Sequence, residues 1–172
     1  MRPLYKIIIL VIYLLSITGC QHTPAATTTI TPTPDLRIPV FDQFTITYIN
    51  PENGRLIAQL KTEAQKAIFL GRKPYIEFGL ENCQPCKAIG DLLYDPMIQA
   101  VFEGTYIIQV DVSVWLNQLY ELNMPINEWP SFYQIDADGK PTGKFITQAD
   151  WGGDYTVESM GPVFFAFFQE TQ

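Results

Sequence analysis

The sequence predicts an α/β fold in which a central mixed β-sheet has helices on both faces. Strand-like apolar runs alternate along the chain with segments whose apolar residues recur at helical spacing. The run Ile107–Val110 (IIQV) is typical of a strand that is buried on both faces of a sheet. The sequence Asp136–Lys140 (DADGK) predicts a hairpin between two short strands, which adds antiparallel pairing. Together these features predict layers of helices around one sheet.

The N-terminal segment has the layout of an export signal. Two basic residues precede the apolar run Ile7–Leu15, which is too short to cross a bilayer comfortably. The following residues Ile17–Cys20 (ITGC) resemble the bacterial lipobox, in which the cysteine becomes the lipidated first residue of the mature protein. We therefore expect a lipoprotein signal peptide over residues 1–19 and a lipid anchor on Cys20. The alternatives are an uncleaved anchor or an ordinary signal with an unrelated cysteine. In each case we expect the domain to lie outside the cytoplasm, in the periplasm or at the cell surface of a bacterium.

Residues 20–40 are rich in threonine and proline and predict an extended, solvated tether before a single domain over residues 41–172. The only histidine of the chain, His22, lies in this tether. Because the predicted domain has no histidine, the sequence excludes Cys–His catalysis, Ser-His-Asp triads and histidine-containing zinc sites there.

Charge and composition narrow the functional classes further. The chain has 11 Lys and Arg against 18 Asp and Glu, which gives a net charge of -7. Nucleic-acid-binding proteins present basic surfaces, so we expect no nucleic-acid partner. Hydrophobic residues make up 47% of the chain, enough for a substantial core without disulfides as staples.

The remaining elements follow from apolar periodicity and from turn residues. In the first half of the domain we predict an edge strand at Phe44–Ile49, a helix over Leu56–Ile68 that stops at Gly71, and a strand at Tyr75–Phe78. A helix from Cys86 follows, which is interrupted at Asp95–Pro96 and resumes over Met97–Phe102. The second half predicts a strand at Thr105–Val112, a helix over Trp115–Leu122, strands at Ser131–Ile135 and Gly143–Thr147, and a last helix from about Thr156 with Pro162 near its first turn.

The central motif is the pair Cys83-Gln-Pro-Cys86, which lies where a strand gives way to a helix. The free N–H groups and the positive end of the helix dipole favour a thiolate at Cys83. Cys86, about one turn further on, is close enough to form a disulfide with Cys83, and we expect it to be the more buried of the two. One alternative is a static structural disulfide, although closing so short a loop gains little entropy. A zinc site is disfavoured because two cysteines supply only half of a tetrahedral shell. We therefore predict no metal.

The chain resembles the thioredoxin-fold family. In that family a buried acid stands six residues before the first cysteine, the position that Glu77 occupies here, and a cis-proline loop faces the cysteines, as Trp129-Pro130-Ser131 would. The Lys after the second cysteine and the predicted kink at Asp95–Pro96 are also similar to periplasmic thioredoxin-like domains of membrane-linked disulfide reductases. The resemblance implies a thioredoxin-like three-layer fold.

The resemblance also assigns roles to these residues. Glu77 would be a buried carboxylate that accepts or relays the proton of Cys86, and cis Pro130 would turn the backbone of Trp129 toward a substrate strand. The alternatives are an ordinary strand residue for Glu77 and a trans proline at a strand start for Pro130, while Trp129 either contacts substrate or packs under the loop. Thioredoxins usually place a lysine near the acid from the neighbouring strand, and Thr105–Val112 contains none.

The resemblance implies a thiol-disulfide oxidoreductase that acts as a reductant and needs no cofactor. Its partners would be protein thiols and disulfides, a membrane electron donor, and the membrane itself through the lipid anchor. Two alternatives remain open. One is a binding or chaperone-like thioredoxin-fold module whose disulfide is idle or structural, and the other, within the same enzyme class, is a disulfide oxidase or isomerase.

Overall fold

The computed structural model of the protein describes residues 43–170. Within these residues, five strands form one sheet in the order β1-β3-β2-β4-β5. Strands β1 and β2 run parallel to β3, whereas β4 runs antiparallel to both β2 and β5. The predicted mixed sheet is therefore confirmed. The strands are β1 (Thr45–Tyr48), β2 (Lys73–Gly79), β3 (Thr105–Asp111), β4 (Ser131–Ile135) and β5 (Pro141–Thr147).

Helices cover both faces of this sheet, as predicted. The α-helices are α1 (Leu56–Phe69), α2 (Gln84–Leu92), α3 (Pro96–Phe102), α4 (Val112–Trp115) and α5 (Val157–Phe168), and short 3-10 turns lie at Pro51–Asn53, Leu119–Leu122 and Gln148–Trp151. One core cluster includes side chains of α2, α3 and α5, and the other includes side chains of α1 and α4. The interruption predicted at Asp95–Pro96 separates α2 from α3, and the Asp95 carboxylate caps α3 by accepting the Met97 N–H at 2.8 Å.

Strand alternation assigns each strand residue to one of the two clusters. Tyr75 and Ile107 pack in the cluster with α5, whereas their neighbours Ile76 and Ile108 pack in the cluster with α1. Glu77 is two residues after Tyr75, so its side chain projects from the same face as that of Tyr75. This is the face that α2 covers, and it places the buried acid on the side of the cysteine-bearing helix.

Two predicted helices differ from the structure. The segment predicted as one helix over Trp115–Leu122 is broken into α4 and a 3-10 turn. At the break, Gln118 Oε1 accepts a hydrogen bond from Leu56 N at 2.8 Å. The interruption thereby supplies the side-chain cap that Arg55 does not give to the start of α1.

The second difference concerns Pro162, which lies inside α5 rather than in its first turn. A proline inside a helix removes a backbone hydrogen bond and costs about 3 kcal/mol. Burial of large apolar side chains on the same helix offsets this cost. These side chains are Met160, Phe164, Phe167 and Phe168.

The expectations for the signal peptide, for Cys20 and for the tether fall on residues outside the described part of the chain. Within residues 43–170, no helix combines the length and the apolar character that a membrane span requires.

Candidate functional site

The two cysteines lie at the start of α2 and form a disulfide, with their Cα atoms 5.2 Å apart. Cys83 is the N-cap residue of this helix, and its Sγ accepts a hydrogen bond from the backbone N of Cys86 at 3.1 Å. The sulfur thus accepts a hydrogen bond from an N–H group that has no backbone partner within the helix. A thiolate at the same place would be stabilised by this N–H and by the helix dipole, as the sequence predicts for Cys83.

The relative burial of the two cysteines is the reverse of the prediction. Cys83 is only 6% exposed, whereas Cys86 is half-buried. Cys83 turns back over the first turn of the helix as its cap, and Cys86 faces a pocket between α2 and the sheet. The expectation that Cys86 is the more buried cysteine was therefore wrong.

Two residues outside the Cys-x-x-C motif fix the position of the cysteine loop. Gly79, at the end of β2, lies so close to the helix that an added Cβ would be 3.1 Å from Cys86 Sγ. Asp111, at the end of β3, accepts the Glu81 N–H at 3.0 Å and the Ser113 N–H at 2.8 Å. The Asp111 carboxylate therefore ties the loop before Cys83 to the start of α4.

Glu77 is buried, with an exposed fraction of 6%, and it lines the same pocket as Cys86. Its partner is Gln109 in the adjacent parallel strand, whose Nε2 donates a hydrogen bond to Glu77 Oε2 at 2.8 Å. Burial raises the pKa of Glu77 to about 7, while the hydrogen bond from Gln109 acts in the opposite direction. The carboxyl can therefore both hold and release a proton near neutral pH, as a proton relay requires.

The Trp129–Pro130 peptide bond is cis, as the resemblance implied. The next residue, Ser131, pairs with Phe78 in β2, so this loop and the cysteine loop lie at the same end of the sheet. Trp129 is partly buried and packs against the core cluster that contains α1. It also lines a second pocket of about 440 Å³ together with Gly152 and Gly153. Trp129 therefore packs under the loop, one of the two arrangements that the sequence left open, and its contact with substrate stays a prediction.

The sequence analysis missed Gln109, Asp111 and Gly79. Each carries a signal that has meaning only once the strands are paired. Gln109 is the polar residue within the apolar run of β3, and its register partner is Glu77. Asp111 precedes Ser113 in a capping pattern at the end of the same strand. Gly79 follows the apolar part of β2, where a close approach of the next element requires a residue without a side chain.

Comparisons with protein-family profiles and with curated proteins give no match. Among solved structures, the chain is similar to a disulphide isomerase from Xylella fastidiosa, at 17% identity, covering 75% of this chain and 95% of that chain, with a TM-score of 0.49. It is also similar to a Schistosoma mansoni thioredoxin pre-protein, at 15% identity, covering 71% and 97%, with a TM-score of 0.45. A third structure is spinach chloroplast thioredoxin f, at 14% identity, covering 70% and 91%, with a TM-score of 0.42.

The strand order, the position of the cysteine pair and the cis-proline loop define a thioredoxin-like fold with a disulfide at the start of its second helix. In the described residues, no cluster of three or more histidine, cysteine or acidic side chains is arranged to hold a metal ion. The chemistry that the site offers is that of its sulfur pair, the buried carboxyl and the amide beside it.

Proposed function

We propose that the protein is an extracytoplasmic thiol-disulfide oxidoreductase that acts on protein substrates through Cys83 and Cys86. The observation that carries this proposal is the position of the disulfide: its first sulfur caps a helix N-terminus, and its second sulfur shares a pocket with a buried acid. A structural disulfide has no need of either neighbour. The lipid anchor at Cys20 and the extracytoplasmic location are supported by the layout of residues 1–20.

In the reducing direction, the reaction starts from the dithiol. The Cys83 thiolate attacks one sulfur of a substrate disulfide, and the other substrate sulfur leaves as a thiolate that takes up a proton. The Cys86 thiol then gives its proton to Glu77, and its sulfur attacks Cys83 Sγ. The Cys83–Cys86 disulfide forms, the mixed disulfide breaks, and the second substrate sulfur leaves as a thiolate. Two electrons pass to the substrate, and a dithiol donor in the membrane would restore the reduced pair.

The assignment of the attacking sulfur is tested by trapping. With Cys86→Ser in the full chain, a mixed disulfide between Cys83 and a substrate should accumulate, because no second sulfur is present to resolve it. Cys83→Ser is the matched control. It should accumulate no adduct, because Cys86 does not occupy the helix-cap position that stabilises a thiolate. Trapping through Cys86 in the control instead would reverse the roles, as the greater exposure of Cys86 would then suggest.

The same variants separate the enzyme from the second candidate function, a binding or chaperone-like module. The burial of Cys83, at 6% exposure, is the observation that favours an idle disulfide. Insulin reduction driven by dithiothreitol should be accelerated by the wild-type protein and not by Cys83→Ser. Equal background rates for both proteins would favour the binding module.

The direction of electron flow is tested by equilibrating the pair with glutathione. A reductant should keep its disulfide until the ratio of reduced to oxidised glutathione is high, because its own potential is low. A pair that becomes reduced while oxidised glutathione is still abundant would identify an oxidase or isomerase instead.

A further inference from the structure

A pocket of about 410 Å³ lies behind Cys86, between α2 and the β1–β3–β2 part of the sheet. This volume is within the range of small-molecule binding pockets, roughly 300 to 1,000 Å³. Apolar groups form most of its wall, and among them Ile46 and Leu93 belong to the core cluster on this face of the sheet. The pocket therefore offers an apolar surface to a ligand on the side of the disulfide away from the cis-proline loop.

Two polar side chains meet inside this apolar wall. Glu77 and Gln109 both line the pocket, and the Gln109 Nε2 donates to Glu77 Oε2 at 2.8 Å. The other end of the same amide, Gln109 Oε1, is buried and has no hydrogen-bond partner among the described residues. Buried acceptors are nearly always satisfied in folded proteins, so this oxygen calls for a donor. A donor on a molecule in the pocket would satisfy it.

The charged groups around the pocket favour a cation. Glu81 and Asp111 add two carboxylates to that of Glu77, and Lys87 is the one basic side chain among the lining residues. Asp111 is already occupied by the backbone N–H groups of Glu81 and Ser113. The remaining demand is thus for positive charge and for N–H donors at Glu77 and Gln109.

We propose that this pocket binds a primary alkylammonium group, with the ammonium donating hydrogen bonds to Glu77 and to Gln109 Oε1 and the alkyl chain packing against Ile46 and Leu93. An ammonium has three donors and no acceptor, so two of its N–H groups can meet the two acceptors of the site. A short alkyl chain matches the apolar wall. The source of the ammonium is either a free amine or a lysine side chain of a polypeptide, and the test distinguishes the two.

A molecule bound in this pocket would lie against the disulfide, because Cys86 lines the same space. A bound ammonium stabilises the carboxylate form of Glu77, so binding should tighten as the pH rises through the Glu77 pKa of about 7. The other titratable groups that face the pocket are Tyr48 from β1, Glu81, Lys87 and Asp111. By reciprocity, a ligand that holds Glu77 ionised changes the readiness of this acid to accept the proton of Cys86.

The proposal is tested on the oxidised full chain by NMR, with ¹³C-labelled glutamate carboxyls, at constant ionic strength. The probes are n-butylammonium, 1-butanol and butyrate. We expect a saturable shift of the Glu77 signal with n-butylammonium, about tenfold tighter binding than 1-butanol above pH 7, as one charge-assisted hydrogen bond provides, and no binding of butyrate. A lysine blocked at both backbone ends is the fourth probe. Binding equal to that of n-butylammonium identifies a polypeptide lysine as the source, and its exclusion identifies a free amine.

Gly90 offers a matched pair of variants. It lines the pocket, and a Cβ added there meets no atom within 4 Å. Gly90→Ala should bind n-butylammonium as the wild type does, whereas Gly90→Leu should fill the space and abolish binding. In Glu77→Gln the carboxyl signal is absent, so binding is followed through the backbone amide signals of Cys86 and Gln109, and n-butylammonium and 1-butanol should bind equally. The proposal is overturned if n-butylammonium gives no saturable shift, if 1-butanol binds as tightly to the wild type, or if Gly90→Leu binds as Gly90→Ala does. No result depends on exchange activity, so the proposed function is tested separately.

Discussion

Gln109 gives the buried acid Glu77 an uncharged partner: its Nε2 lies 2.8 Å from Glu77 Oε2 across the pairing of β2 with β3. A buried carboxyl beside a neutral amide keeps its proton to a higher pH than one beside a cation. The pKa of the acid that shares a pocket with Cys86 is therefore set mainly by burial, and only secondarily by a hydrogen bond.

Substitution of Gln109 should shift the pKa of Glu77 in opposite directions according to the new side chain. Gln109→Leu removes the hydrogen bond that lowers this pKa, and so should raise it above about 7. Gln109→Lys introduces a cation and should lower it. Carboxyl NMR from about pH 4 to about pH 9 measures both values. Gln134→Leu in β4 is the control, because Gln134 contacts Thr142 instead, and it should leave the titration unchanged. An identical pKa in the Leu and Lys variants at position 109 would contradict this account.

Glu77 should make the protein less stable as the pH rises. Its pKa is raised from 4.5 to about 7 in the folded state, so between these values the folded protein binds a proton that the unfolded chain has released. This favourable contribution is complete below pH 4.5 and lost as the pH passes about 7. The loss is about 3 kcal/mol, from 1.36 kcal/mol per pKa unit.

Urea unfolding of the oxidised wild type and Glu77→Gln measures this contribution. The free energy of unfolding of the wild type should fall by about 3 kcal/mol relative to Glu77→Gln between about pH 4.5 and about pH 8. Glu158→Gln, on the exposed side of α5, should follow the wild type instead. Parallel curves for the wild type and Glu77→Gln would show that Glu77 is ionised to the same extent in both states.

Gly79 and Gly90 should respond in opposite ways to the same added methyl group. The Cβ of Gly79→Ala would lie 3.1 Å from Cys86 Sγ, so the sulfur must move, and we expect a loss of about 1 kcal/mol or more in the free energy of unfolding. The Cβ of Gly90→Ala meets open space within α2, where alanine gains up to about 1 kcal/mol over glycine. Urea denaturation of both oxidised variants gives the comparison. A stabilised Gly79→Ala variant would mean that Cys86 has room to spare.

The sequence predicted those parts of the fold and site that depend on residues close together in the chain. The strand before the cysteines, the helix after them, the hairpin and the helix break at Asp95–Pro96 all follow from local periodicity, turn residues and capping. Glu77 and Pro130 were located through the resemblance to the thioredoxin fold, from their positions relative to the cysteines. The structure buries Glu77 in the pocket that Cys86 lines, and the pairing of β4 with β2 brings the proline loop to the same end of the sheet as the cysteine loop.

The remaining features depend on contacts between distant segments. Gln109 becomes the partner of Glu77 only through the register of β3 against β2. Gln118 reaches the start of α1 across 62 residues, and this contact accompanies a helix break that periodicity alone does not show. The greater exposure of Cys86 arises because a pocket opens between its helix and the sheet. The spacing of apolar residues indicates which face of a helix packs on the sheet, but it does not show where a pocket remains between the two.

The hydrogen bond from the Cys86 amide to the sulfur of Cys83 has one further consequence. The sulfur that caps the first turn of α2 is also the atom whose S–S bonds would form and break in each catalytic cycle. The same sulfur atom therefore accepts a backbone hydrogen bond and forms the covalent bonds of the reaction. A change in the bonding of that sulfur acts directly on the backbone N–H of Cys86, without an intervening side chain.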